Sequence, residues 1–354
     1  MESQLLSPYI TFIKLFVTLQ FVAVIAAAIY SLLFVNIRDF LQRRKIRMRD
    51  ALKNLLRQHI TDKTMPTIKA TREYSYLIEA IYDIDRETKD SYWNQIKDHL
   101  CRSILFPYAR KLVYSRHWSR RLQASRCFLL YIDPSNEEYV LHLLRHDNTP
   151  LVKCAASYCA ARIGTRNCAL AIIAEMDKSD RFLRHPYVNS VLGVDTQFFT
   201  YVEEVLAQAE HPYTRVSCYE LLAHHVNPRI VKFAENDLHA SHKNLRVVAI
   251  RTLGRFPHTD IHPLLPLLQD PDWEVRAITA SVLGKLGANE TSKDIAPLLG
   301  DKTWWVRLNA AVALKKMGSV GKEILQSQDP NKDRYAYEMA QYVLPLDVEV
   351  RSHA

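Results

Sequence analysis

The apolar and polar positions of this chain fall into three stretches with different rhythms. From Leu15 to Val35 there are 21 residues without a charge, mostly Leu, Phe, Val, Ile and Ala. As a helix rising about 1.5 Å per residue this stretch reaches roughly 32 Å, close to the ~30 Å hydrocarbon thickness of a bilayer. It predicts a membrane-spanning helix. Residues 37–60 place Phe40, Leu41, Met48, Leu52, Leu55 and Leu56 on one apolar face, and should continue the same helix until Asp62 to Pro66 break it. Tyr74 to Ile84 and Tyr92 to Leu105 read as further helices, the second expected to stop before Pro107, because the residue before a proline is pushed out of the helical region. These helices would cap whatever follows.

The third stretch repeats. A basic residue returns at Arg121, Lys153, Arg184, Arg215, Arg246, Arg276 and Arg307, in steps of 30 to 32 residues. After each comes an apolar helix with small residues at its centre, as in Ala277 to Gly287 and Leu308 to Gly318. Gly287 and Gly318 stand where a helix C-cap needs a left-handed residue. A second helix follows, such as Pro263 to Leu268 or Ala296 to Leu299. Asp147, His211, Asp270 or Asp301 then opens the next unit, where an N-cap is expected. Pro150, Pro212 and Pro271 fall in or near the first turn, which tolerates proline. A fixed period near thirty means stacked helix pairs, not one globular core.

The pattern Asp-x-x-x-x-Val-Arg-x-x-x-Ala-x-x-Leu-x-x-x-Gly at 270–287 and 301–318 resembles a HEAT repeat, in the short form first named from phycobilisome lyases. The resemblance covers roughly residues 115–345, is strongest at 240–318, and is weak at 180–200, where Leu183-Arg184 and the helical spacing survive. It implies an all-α protein: one N-terminal transmembrane helix, then a right-handed α-solenoid of HEAT-like helix pairs. The expected organisation is an anchor at 1–36, a basic juxtamembrane and helical cap region at 37–110, the solenoid at 111–345 and a tail at 346–354. The last unit, Asp329-Pro330 with Arg334 to Leu344, carries Tyr335, Tyr337 and Tyr342 and should close the solenoid. In families of this kind the recurring arginine pairs with a loop Asp of its own or the adjacent repeat. The seven basic residues are therefore expected to be inter-repeat ties.

Net charge +9 would point to nucleic acid if it were spread along the solenoid. Residues 37–60, however, hold eight basic and two acidic residues, so +6 of the excess lies beside the apolar stretch. There Arg43, Arg44, Lys45, Arg47 and Arg49 are expected to face anionic lipid, each gaining about 1 kcal/mol. The nearly neutral solenoid offers no counterion-release engine, which excludes a nucleic-acid partner. The basic cluster follows the apolar segment, which places the N-terminus outside and the solenoid in the cytoplasm of a bacterial inner membrane. Ala26-Ala27-Ala28 resembles a signal-peptide cleavage site, but the apolar run continues through Val35 and the charge lies on the wrong side for export. Six cysteines without a CxxC suit small apolar core positions in a reducing compartment.

Fourteen histidines include His142/His146, His258/His262 and His224-His225, yet no HExxH, CxxC or His-Glu dipeptide occurs. The HEAT-like deoxyhypusine hydroxylases use paired His-Glu motifs for iron, so that activity is not expected. No P-loop, GxGxxG or GxSxG is present either. No catalytic residue, cofactor or metal is assigned. Trp118, Trp273 and Trp304 each fall three residues before a basic position, and Trp305 adjoins the last. They either pack on the neighbouring repeat or anchor a partner, as tryptophans do at hot spots. Binding is expected on the concave face of stacked second helices or at these Trp-bearing turns. The expected function is a membrane-anchored scaffold or adaptor for a protein partner, in a setting such as an envelope polysaccharide glycosyltransferase or secretion assembly. The alternatives are a bilin-lyase-like attachment factor or other HEAT-like enzyme, and an accessory subunit of a membrane transporter, in which Lys14, Thr18 and Gln20 would contact other membrane helices.

Overall fold

The structure, a computed structural model, describes residues 7–68, 74–88, 90–225 and 227–347; Glu2 and the tail beyond residue 347 lie outside them. Among the described residues there is no strand, and the fold is all-α with HEAT-like repeats. The chain divides into two compact units, Met1–Tyr114 with Arg126–Tyr131, and Ser115–Ser125 with Ile132–Ala354.

The first unit begins with one 55-residue helix, α1 (Ser7–Thr61), followed by α2 (Tyr74–Glu87), α3 (Ser91–Leu100) and α4 (Phe106–Leu112). Ile81, Trp93, Ile96 and Leu100 are fully buried in its core, and α1 contributes Leu56. The other apolar positions of 37–60 do not form a buried face: Phe40, Leu41, Met48 and Leu55 are exposed. Charge holds α1 to α2 instead. Lys45 meets Glu79 at 2.6 Å, Arg49 meets Asp83 at 3.6 Å and Lys53 meets Glu87 at 3.0 Å. Both partners step by four residues, one turn and a little more, so each helix offers one face of like charge. The pairs advance together along the sequence, so α2 runs parallel to α1. Lys45 and Arg49, expected at the lipid surface, are thus engaged by α2.

The helix from Ser91 does not stop before Pro107. A π turn at Cys101–Leu105 carries it into α4, with the Phe106 N–H donating to the Cys101 carbonyl. A proline ring clashes with the carbonyl four residues back, and the wider turn just before it removes that clash.

The helices that bear the recurring basic residues are α5 (Trp118–Leu130), of which the second unit holds the part up to Ser125, and, within that unit, α7 (Pro150–Ile163), α9 (Arg181–Ser190), α11 (Pro212–Leu221), α13 (Lys243–Leu253), α14 (Trp273–Leu286) and α15 (Trp304–Lys316). Their partners are α6 (Glu137–His146), α8 (Arg166–Lys178), α10 (Thr196–Gln208), α12 (Arg229–Asp237), helical segments at 262–269 and 289–300, and α16 (Gly318–Gln326); α17 (Arg334–Val343) ends the row. Gly164 and Gly287 close α7 and α14 in the left-handed region, at φ 72° and 68°. The partners His262–Gln269 and Ala296–Gly300 are 3₁₀ helices. Pro263, Pro266 and Pro297 supply no N–H and interrupt an α-type ladder, and such short stretches take the 3₁₀ form.

Arg121, Arg246 and Arg276 bind loops on both sides of their own repeat. Arg276 donates to the carbonyls of Asp270 and Pro271 behind it and to the Asp301 carboxylate ahead. Arg246 does the same with Ala240 and Ser241 behind and Asp270 and Asp272 ahead. Arg121 reaches Asp147, Arg215 reaches Asp237, and Lys153 reaches Glu175 on the partner helix α8. Arg307 binds the carbonyls of Asp301 and Lys302, and its guanidinium lies 4.9 Å from the Tyr335 ring of α17.

Asp147, Asp270 and Asp301 are not the N-caps. The cap positions fall two residues later, at Thr149, Asp272 and Thr303, and each Asp accepts from the backbone N–H there. The carboxylate thereby shapes the turn and receives the preceding repeat's cation at once. Burial alone would raise the Asp147 and Asp301 carboxyls. The Arg121 or Arg276 guanidinium and the backbone N–H of Thr149 or Thr303 outweigh it and hold both below the usual carboxylate range.

Candidate functional site

The helices that carry the basic comb also line a groove of about 750 Å³. Val216 and Glu220 of α11, Val247 and Arg251 of α13, and Ile278 of α14 form its walls. The groove forms where the successive first helices α11, α13 and α14 stack, beside the Trp-bearing turns.

Trp273 and Trp305 stand at the groove's edge. Each begins or nearly begins its helix, where side chains project from the end of a stack that cannot bury them. Trp273 stays 39 % exposed and Trp305 53 % exposed, in contrast to core side chains at or near zero. Trp304 does not line the groove; it holds Trp305 edge-to-face at 4.7 Å between ring centroids. Trp118, half exposed on α5, lies elsewhere in the second unit. The repeat equivalence of Trp118, Trp273 and Trp304 thus does not put them in one site. Asn309, whose amide donates to the Trp305 carbonyl at 2.8 Å, completes that end.

The groove's charges are mostly matched. Lys243 donates to Glu274 at 2.7 Å; this bond raises the lysine, and it depresses the Glu274 carboxyl against the opposing pull of burial. Lys153 and Arg215 lack an acid at the regular loop position and take Glu175 and Asp237 of their partner helices, whereas Arg184 turns elsewhere. The acid that would receive it lies six residues before the next comb position in the regular repeats, and Ala209 stands there. With no loop carboxylate available, Arg184 donates to the Ser179 carbonyl and reaches Glu220 at 3.5 Å, on the groove face.

A smaller cavity of about 220 Å³ shares Arg184, Glu220, Val248 and Arg251 with the groove and adds His185, Tyr219 and Arg255. His185, Tyr219, Arg251 and Arg255 carried no signal in the periodic pattern, because their relevance comes from different repeats meeting. Elsewhere His142 and His146 lie 5.3 Å apart on α6, and among the described residues no group of three or more His, Cys, Asp or Glu converges as metal ligands would. All six cysteines are unpaired thiols; burial pushes Cys101 and Cys127 up to about 12.

The match to a family model agrees with the class of fold. Residues 261–341 match the family described as HEAT repeats. No curated protein matches the chain. Among solved structures, YibA of E. coli is 14 % identical over 78 % of this chain and 99 % of that one, with a TM-score of 0.40. The CpcE–CpcF complex of phycocyanin lyase from Nostoc sp. PCC7120 is 17 % identical over 67 % and 93 %, at 0.32. Human deoxyhypusine hydroxylase is 15 % identical over 71 % and 96 %, at 0.29.

Proposed function

We propose that this chain is a membrane-tethered, non-catalytic adaptor: Leu15 to Val35 anchor it, and the groove on the comb-bearing helices holds a segment of a protein partner. The single observation that carries the reading is the groove itself, about 750 Å³ with Trp273 and Trp305 left half exposed at its edge. Tryptophans in such a position supply large contact area at low conformational cost. HEAT repeats commonly mediate protein–protein interaction, which supports the same reading.

The tether rests on α1. It is long and apolar enough to cross a bilayer, and none of its apolar stretch is buried against the rest of the chain. Leu19, Phe21, Val24 and Tyr30 are each about two-thirds or more exposed, a surface that water disfavours and lipid accepts. The basic residues that follow support a cytoplasmic solenoid at a bacterial inner membrane. Lipid contact in that cluster falls chiefly to Arg43 and Arg47, since Lys45 and Arg49 pair with α2.

A photo-crosslinking residue placed in turn at Trp273, Trp305 and Val320 tests the adaptor reading in intact cells. Val320 lies exposed on the second helix α16. A discrete protein adduct from the two groove positions and none from Val320 is expected; equal adducts from all three, or none, would remove the groove as a partner site. Alkaline carbonate extraction tests the tether: release of the full chain from membranes would rule it out.

A further inference from the structure

Three arginines meet in the smaller cavity beside the groove, with one carboxylate among them. Arg184 comes from α9, Arg251 from the last turn of α13, and Arg255 from the turn just past that helix, where its backbone N–H donates to the Thr252 carbonyl at 3.0 Å. Glu220 on α11 lies in the same wall and takes Arg184. The Arg255 guanidinium has no hydrogen bond or ion pair among the described residues, although the side chain is partly buried. Burial, and secondarily the Arg251 charge, hold its guanidinium below the usual arginine range. A position beyond a helix C-terminus offsets part of that cost through the helix dipole. It does not supply an acceptor for five donors.

The remaining walls explain what fits. Val188, Ala223 and Val248 are apolar, while Tyr219 and Thr252 turn their hydroxyls away, to Asp237 and to the Val248 carbonyl. The cavity wall thus brings three guanidinium groups together with Glu220 as its one carboxylate side chain among the lining residues. Its 220 Å³ equals the share of about seven liquid waters, room for a carboxylate or phosphate group with its first hydration. Planar guanidinium forks bind such groups bidentately.

We propose that this pocket is an oxyanion-binding site, taking a carboxylate or phosphate group between Arg184, Arg251 and Arg255. The site stands whether or not the adjoining groove holds a protein. At the place where the regular repeats carry an acid the chain has Ala209; Arg184 keeps its tie to the Ser179 carbonyl behind it and turns its other side to Glu220 on this wall.

The test uses the full chain in detergent, with thermal unfolding followed by tryptophan fluorescence. Inorganic phosphate and glutarate are titrated separately against sodium chloride at equal ionic strength. Binding to the folded state raises Tm with ligand concentration, and at least one of the two is expected to do so beyond chloride. A response to phosphate alone assigns a phosphoryl ligand; a response to glutarate alone assigns a carboxylate. Isothermal titration should show Arg255→Gln and Arg251→Gln weakening that binding by about tenfold or more, while the exposed Arg162→Gln on α7 leaves it unchanged. Without anion, Arg255→Gln should melt no lower than the parent, because it removes an uncompensated charge. If Arg255→Gln fails to fold, Arg251→Gln, at an exposed position, decides. No anion-specific effect, or an effect retained in Arg251→Gln, overturns the proposal.

Discussion

Arg276 and Asp301 sit in consecutive repeats and join through two N–H···O bonds of 2.8 and 3.1 Å, with both side chains about nine-tenths buried. The same aspartate offers its backbone carbonyl to Arg307, so each acid binds the cation of the preceding repeat and that of its own. Replacing Arg276 by Ala leaves Asp301 buried without its cation and should cost about 3 kcal/mol. Arg334→Ala breaks only an exposed pair with Glu338 on α17 and serves as the control, with little change. Urea denaturation of both variants measures the difference.

Acid should loosen the same ties. The Asp147 and Asp301 carboxyls are depressed in the folded chain, so the native state binds fewer protons than the unfolded state. Their stabilisation is complete above the ordinary Asp value of about 3.9 and disappears as pH falls through it toward the folded values. The urea midpoint should therefore decline below about pH 4. A midpoint that stays flat from pH 6 to 3 would contradict this.

Close approach of successive repeats depends on Gly284. A Cβ there would lie 2.6 Å from the Ala313 backbone of α15, and backbone cannot yield as a side chain can. Gly284→Val should destabilise by roughly 1–3 kcal/mol through overpacking. Gly193, where an added Cβ meets nothing, is strained only by its φ of 72° and gives a measure of the backbone effect alone.

The charged seam between α1 and α2 predicts a reciprocal rescue. Glu87 is held below the usual range by Arg57 and Lys53, and Lys53 is raised by Glu87. Lys53→Glu and Glu87→Lys should each lower Tm, and the double exchange should recover part of the loss. Added salt should shrink all three effects, since exposed pairs are screened.

Thiol reagents should find the native chain unreactive at pH 8. Cys101, Cys127, Cys159, Cys168 and Cys218 are fully buried, and burial raises the thiols of Cys101, Cys127, Cys168 and Cys218. Cys154, partly exposed, is raised by burial as well and should label slowly. Rapid labelling of several cysteines before unfolding would contradict this packing.

The class of fold was legible because it is written locally. A 30- to 32-residue step, apolar residues at helical spacing and Gly287 past a helix end each constrain only their own repeat. The long apolar stretch of α1 is local in the same sense. Helix ends were less legible where two local rules compete. Pro107 forbids an α continuation, yet a single π turn lets the chain pass; the aspartates of the turns prefer an N-cap, yet the arginine ahead of them in space draws them two residues earlier.

The candidate site was legible only in part, in Trp273 and Trp305. Which of the equivalent tryptophans border a groove depends on which repeats stack to form it. The parallel course of α1 and α2 follows from pairing over a separation of 34 residues, and nothing in either helix alone names its partner. The meeting of Arg184, Arg251 and Arg255 joins residues up to 71 positions apart. Periodicity is determined by the sequence because burial of one helix face is a short-range demand. Pairing of charges across repeats is decided only by tertiary structure, because Coulomb and hydrogen-bond partners are chosen by distance in space.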